Sequence, residues 1–291
     1  MYWTVVAIEV AIASVMALWL VRKSSDPYGL FHLSLNEGSD TEWLNMGYWR
    51  ECNTFPEACR GAYAHIRVNS LLISLFSALA TKVIQAIDYP TKEGMRILDV
   101  GHGTGDSLLL LLEHYKPKQL VGITSLAEHS TRSAARMKNT GAVKLFTGDA
   151  VCREQQVDHP LKTGKYDVVY ALDCIYHFRT RRLFLQQVFD ALNEGGRVGF
   201  TDIAFTPGFP TISLASLLSL SAPRENVVSD VRTELEEIGY VDIRVEDITE
   251  DVFPGFSKFL KPRGLAWWMF AWVMGNVKDT RYLVISATKK M

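Results

Sequence analysis

The chain reads as an α/β protein built on a parallel sheet covered by helices. Three observations predict this. From residue 95 onward, short β-branched runs alternate with stretches of helical periodicity. One such run, Arg96-Ile97-Leu98-Asp99-Val100, leads directly into a glycine-rich turn and then a leucine-rich stretch. The 291 residues, 48% of them apolar, suffice to bury a full core around such a sheet.

The N-terminal segment stands apart. Residues 3–21 form a run of 19 with a single charge, Glu9. At ~1.5 Å per residue the run covers roughly 28 Å, close to the apolar thickness of a bilayer. Trp3 and Trp19 lie near its ends, where amphipathic rings prefer the membrane interface, and Arg22 and Lys23 follow at once. No basic segment precedes it, so residues 1–23 read as a transmembrane anchor rather than a cleaved leader. The alternative is a helix buried in the folded domain. Glu9 favours that alternative, because a carboxylate at mid-bilayer costs about 2–3 kcal/mol. The basic pair places the remainder on the cytosolic side, at the endoplasmic reticulum in a eukaryote.

Residues 24–94 read as a connector with N-terminal cap helices, and Ala, Leu and Ile at helical spacing predict a helix over 58–88. Residues 95–291 form one domain. Strands are expected at 96–100, 119–123, 143–146, 166–171 and 197–202, helices at 105–115, 126–139, 180–192 and 228–238, and two late strands at 240–247 and 281–288. Insertions occupy 203–225 and 249–279. The second contains the run Leu265 to Met274 with three tryptophans, too short to cross a bilayer. Such a run must be covered by the domain, by substrate or by a membrane interface. Each of these points to an apolar acceptor or an apolar surface.

Composition removes some functions. A net charge of −1 and 22% charged residues leave no basic footprint for nucleic acid. Cys52, Cys59, Cys152 and Cys174 form no C-x-x-C pair and no metal-ligand spacing, so free thiols and no metal are expected.

The chemistry begins at Asp99-Val100-Gly101-His102-Gly103-Thr104-Gly105, where an apolar strand enters a glycine turn ahead of a helix. Glycines there let the backbone approach a ligand that side chains would block. Dinucleotide sites want G-x-G-x-x-G opening the helix, to leave its N-terminus free for a pyrophosphate. Here the spacing is G-x-G-x-G, with an acidic residue two before the first glycine.

Further segments follow the same pattern: Leu44-Asn45-Met46-Gly47-Tyr48-Trp49, Gly122-Ile123-Thr124-Ser125, Gly148-Asp149-Ala150, Tyr166 to Phe178, and Gly195-Gly196-Arg197. With these, residues 43–288 resemble class I S-adenosylmethionine-dependent methyltransferases, nearest the subgroup of cyclopropane fatty acid synthases and tocopherol and sterol methyltransferases. The resemblance implies a Rossmann-like seven-stranded sheet with helices on both faces, and S-adenosyl-L-methionine as cofactor. It implies cofactor contacts from Asp99, Gly101, Gly103 and Gly105 at the turn. Tyr48 and Trp49 would lie over the ligand, Thr124, Ser125 and His129 near the ribose, and Asp149 and Ala150 near the adenine. Asp99 and Asp149 have plainer readings as turn residues, and Tyr48 and Trp49 as packing.

Departures from the pattern are informative. Thr124 stands where most members have an acidic residue, and His129 where the subgroup has Gln. The places that hold a bicarbonate in cyclopropane synthases correspond to Met46, Tyr176 and Thr201–Asp202, and none matches, which disfavours ring formation on a lipid.

Ligands of doubly wound sheets sit beyond the carboxyl ends of the strands. The strand 166–171 is expected beside 96–100, so Asp173, Tyr176 and His177 are the candidate catalytic residues. His177 could accept a proton from the acceptor or simply tie its loop to the sheet. The sequence thus predicts methyl transfer to a lipophilic small-molecule or lipid-like acceptor at a membrane surface. Two other readings are a small amine acceptor of the ethanolamine or glycine type, held by the tryptophans through cation–π contacts, and a non-catalytic, membrane-tethered scaffold.

Overall fold

The computed structural model describes residues 30–36, 38–60, 65–68, 71–74, 78–141, 143–178, 180–205, 228–276 and 280–291. The apolar run at 3–21 and most of the 203–225 insertion lie outside them. Among the described residues no helix is long and apolar enough to cross a membrane.

Seven strands form one sheet: β3 (Arg96–Val100), β4 (Gln119–Thr124), β5 (Val143–Thr147), β6 (Tyr166–Ala171), β7 (Leu192–Phe205), β8 (Tyr240–Asp247) and β9 (Thr280–Lys289). Their order is β5-β4-β3-β6-β7-β9-β8. The first five run parallel, and β9 inserts antiparallel between β7 and β8. As expected, β6 lies beside β3, pairing Ile97 with Val168 and Val100 with Ala171. The two carboxyl ends therefore open side by side.

Alternation along the strands divides the core into two layers. Ile97, Val168, Tyr170, Tyr282 and Val284 face one layer, and Leu98, Val100, Val169, Ala171, Leu283 and Ile285 face the other. The first layer is closed by α2 (Leu79–Ile87), α3 (Asp106–Tyr115) and α8 (Thr249–Leu260). The second is closed by α6 (Arg181–Ala191) and α7 (Val228–Ile238). The remaining helices are α1 (Phe55–Arg60), α4 (Ala127–Arg136), α5 (Pro160–Thr163) and α9 (Leu265–Asn276).

The continuous helix expected over 58–88 is not formed. Helix α1 ends at Arg60 and α2 begins at Leu79, and between them β1 (His65–Val68) pairs antiparallel with β2 (Leu71–Ser74). The residues between the paired strands are Asn69 and Ser70, which favour turns, and the strands carry β-branched Ile66, Val68 and Ile73. The spacing of Ala and Leu suggested a helix, but the β-branched residues of the two strands favour extended backbone.

The 203–225 insertion starts later than expected, because β7 continues to Phe205 in register with β9. The 249–279 insertion is largely core. Val252, Phe256 and Leu260 of α8 and Trp267 and Ala271 of α9 are buried in the first layer, and Ser257 Oγ donates to Ala271 O at 2.9 Å, joining the two helices.

Candidate active site

The site is assembled from three pieces: the glycine turn after β3, the loop after β6, and a strap of residues 42–46 ahead of α1. The turn is held to β4 by Gly101 N donating to Ile123 O at 2.8 Å. Gly101 and Gly103 have φ of +74° and +54°, in the left-handed region that favours glycine. A Cβ on Gly101 would overlap Cys174 of the β6 loop at 2.7 Å, and one on Gly103 would meet Leu44 of the strap at 3.3 Å. Turn, loop and strap are therefore close-packed around the end of β3. Cys174 also donates its thiol to Val100 O at 3.3 Å.

Asp99 is buried at the end of β3. Its Oδ2 accepts from Ser107 Oγ at 2.6 Å, and its Oδ1 has no partner among the described residues. Burial pushes its pKa up to about 7, opposed only by the Ser107 hydrogen bond. A carboxyl raised above its unfolded value costs stability once ionised. The cost is absent below the ordinary carboxylate range and complete above about pH 7. Asp99→Asn is therefore expected to raise the melting temperature of the ligand-free protein at pH 8 while weakening cofactor binding at least tenfold. Calorimetry with both readouts checks this, and a lower melting temperature at pH 8 would contradict the burial argument.

Six buried side-chain polar atoms lack a partner among the described residues, and five lie in these pieces: Glu42 Oε2, Trp43 Nε1, Asn45 Nδ2, Asp99 Oδ1 and His102 Nε2. Buried polar atoms are otherwise satisfied in proteins, so their concentration marks a ligand site. The set combines a carboxylate acceptor with an amide donor. It suits a ligand that carries both an ammonium and a carboxylate, as the amino acid end of S-adenosylmethionine does.

Other sequence-predicted residues are placed as follows. Thr124 is buried at the end of β4 beside exposed Ser125, and Thr124 O accepts from Gly148 N at 2.9 Å. His129 is buried on α4, the helix that also packs against Gly105 through Ser133. Asp149 is exposed. Its carboxylate accepts from Val151 N at 3.1 Å and stands 3.5 Å from Arg153, the bonding of a turn residue, while Ala150 beside it is buried. Tyr48 and Trp49 are engaged in packing. The Trp49 ring sits 4.9 Å from Phe259 and 6.4 Å from Phe55, and its Nε1 donates to Met46 O. The Tyr48 ring lies under Lys82 at 5.2 Å, and burial, helped by Asp251, pushes its hydroxyl up to about 12. The turn is met by Leu44, just ahead of these rings.

The three candidate catalytic residues lie together on the β6 loop. Asp173 has a left-handed φ of +55°, and its amide donates to Thr201 Oγ1 at 2.7 Å. Its Oδ1 accepts from Tyr176 at 2.8 Å and Tyr282 at 2.6 Å, and its Oδ2 accepts from Met46 N at 2.9 Å. Burial raises its pKa and the three hydrogen bonds oppose the rise. Met46, Tyr176 and Thr201, three places where the chain departs from the cyclopropane synthases, all converge on this one residue, the first two on its carboxylate and Thr201 on its backbone amide. Half-buried His177 follows, its ring 4.3 Å from that of Tyr176.

Sequence reasoning missed Asn45, Tyr282 and the ion pair between Asp106 and Arg136 at 2.6 Å. Asp106 directly follows the glycine turn and was open to suspicion. Tyr282 had no local signal. Of the three tryptophans on α9, Trp267 is buried, while Trp268 and Trp272 are exposed.

This sheet order, with a glycine turn and an unsatisfied acidic residue at the end of β3, defines a class I Rossmann-like methyltransferase. The chain belongs to the methyltransferase domain family whose model matches residues 69–271. It is 27% identical over 242 residues to the erythromycin 3''-O-methyltransferase of Saccharopolyspora erythraea, covering 77% of this chain and 70% of that one. It is 26% identical over 162 residues to phosphoethanolamine N-methyltransferase 1 of Triticum aestivum, covering 55% of this chain and only 31% of that longer protein. Geranyl diphosphate C-methyltransferase from Streptomyces coelicolor shares the fold, with a TM-score of 0.66 at 13% identity over 92% of this chain and 95% of that one. The protein is an S-adenosylmethionine-dependent methyltransferase.

Proposed function

We propose that the protein methylates a lipophilic small-molecule or lipid-like acceptor at a membrane surface, with residues 1–23 as anchor and the catalytic domain on the cytosolic side. The observation that carries the apolar reading is α9. Leu265, Trp268 and Trp272 are 71%, 46% and 47% exposed, and their spacing of three and four residues sets them on one helix face. Exposed Lys258 and Lys261 stand on the segment leading into it. Large apolar groups beside cations suit a lipid interface or an apolar ligand. Relatives named for O-methyl transfer support an oxygen as the target atom. Relatives named for phosphoethanolamine support the second reading, a polar amine.

Bound at the turn, S-adenosylmethionine supplies an electrophilic sulfonium methyl. The chain's share is placement and exclusion of water. Asp99 would hold the ammonium and Asn45 the carboxylate of the cofactor, with Thr124 and Ser125 towards its ribose and Asp149 and Ala150 towards its adenine. His177 would take the proton released by a hydroxyl acceptor. His177→Asn is expected to keep cofactor affinity and lose roughly a hundredfold in kcat. An unchanged pH–rate profile would remove His177 as proton acceptor. Turnover of methyl-labelled cofactor separates the acceptor classes: label is expected to enter a lipid extract. Transfer only into a polar extract supports the amine.

A further inference from the structure

We propose that Asp173 is a positioning residue that latches the strap 42–46 across the glycine turn, rather than a proton acceptor. The inference concerns the methyl-transfer site itself and holds for any acceptor.

The strap is fixed at its first end by charged groups. Glu42 N donates to Asp106 Oδ2 at 2.9 Å, Thr104 Oγ1 donates to Glu42 O at 2.6 Å, and Arg132 pairs with the Glu42 side chain at 3.1 Å. Arg136 in turn clamps Asp106 with bonds of 2.6 and 2.9 Å. The chain then passes the turn, with Leu44 against Gly103. At the far end Met46 N donates to Asp173 Oδ2. A ligand seated on the glycine turn is therefore bounded by a strap whose far end is tied through the Met46 amide to the β6 loop.

The surroundings of Asp173 hold that carboxylate in a single orientation. Its backbone is tied to β7 through Thr201, and Oδ1 is held by Tyr176 from its own loop and Tyr282 from β9. With the strap amide, three donors from three separate parts of the chain converge on it. No Lys or Arg ion pair with Asp173 is found among the described residues, and these three donors are its hydrogen-bond partners. A proton on this carboxyl would weaken it as an acceptor for all three donors. To hold the strap it need only stay as it is.

The test uses the full chain, S-adenosylmethionine as probe, and hydrogen exchange of the peptide spanning 42–49. Asp173→Gly deletes the carboxylate, and glycine adopts a φ of +55° without strain. Asp173→Asn keeps the backbone conformation and offers a carbonyl to the Met46 amide. The latch predicts at least a tenfold loss of cofactor affinity and tenfold faster exchange in Asp173→Gly, with most of both restored in Asp173→Asn. Wild-type affinity and exchange in Asp173→Gly would overturn it, as would an Asn variant no better than the Gly variant. If Asp173→Gly does not fold, Tyr176→Phe/Tyr282→Phe replaces it. That pair leaves the strap bond but frees the carboxylate to turn, so exchange at 42–49 should rise severalfold, and unchanged exchange would overturn the proposal.

Discussion

Gly103→Arg is expected to lose at least a hundredfold in affinity for S-adenosylmethionine while remaining folded. Two effects combine at this position. Its φ of +54° is left-handed, a conformation that costs a non-glycine residue roughly 1–2 kcal/mol. The new side chain also starts 3.3 Å from the Leu44 methyl, between turn and strap, where the cofactor is proposed to sit. A hundredfold loss corresponds to about 2.8 kcal/mol. Gly94 provides the control. It has a φ of +77° and no atom within 4 Å of a built Cβ, so Gly94→Arg carries similar backbone strain away from the site. Titration calorimetry should find normal binding in Gly94→Arg. Normal binding in a folded Gly103→Arg would move the cofactor site elsewhere.

The second large effect falls on stability. Arg181 is 2% exposed and pairs with Asp202 Oδ2 at 2.9 Å, which is itself fully buried in β7, and with Glu234 Oε2 of α7 at 2.9 Å. The triad staples α6 and α7 onto the sheet. Arg181→Met removes the cation and strands Asp202 in the core, a loss of roughly 3–5 kcal/mol. The pH dependence gives the mechanism. Burial already raises Asp202 to about 6 against the lowering effect of Arg181, so without the arginine it rises further. A protonated, neutral Asp202 tolerates burial. The deficit of the variant is therefore largest near pH 8 and shrinks as pH falls through 6. Urea unfolding at pH 8 and pH 5.5 measures both. An equal deficit at the two values would mean that lost packing, not stranded charge, explains it. Asp202→Asn added to Arg181→Met should recover part of the loss at pH 8 only.

The sequence by itself determined the sheet strands and the glycine turn at the end of β3. β3, β6, α7 and β8 stand where period and punctuation placed them, because alternation, helical spacing and glycine turns act over a few residues and leave a local trace. The same locality misleads over 58–88, where the helical spacing of Ala and Leu coincides with the β-branched residues of β1 and β2. The tertiary structure alone decided which side chains meet. Met46 and Tyr282 reach Asp173 across 127 and 109 residues, Tyr282 because β9 enters the sheet beside β7. It decided too that the rings of Tyr48 and Trp49 pack against side chains of α1, α2 and α8, while Leu44 ahead of them faces the turn. Strand order and side-chain partners are settled by burying two apolar layers at once, a condition on the whole chain that no short window of sequence contains.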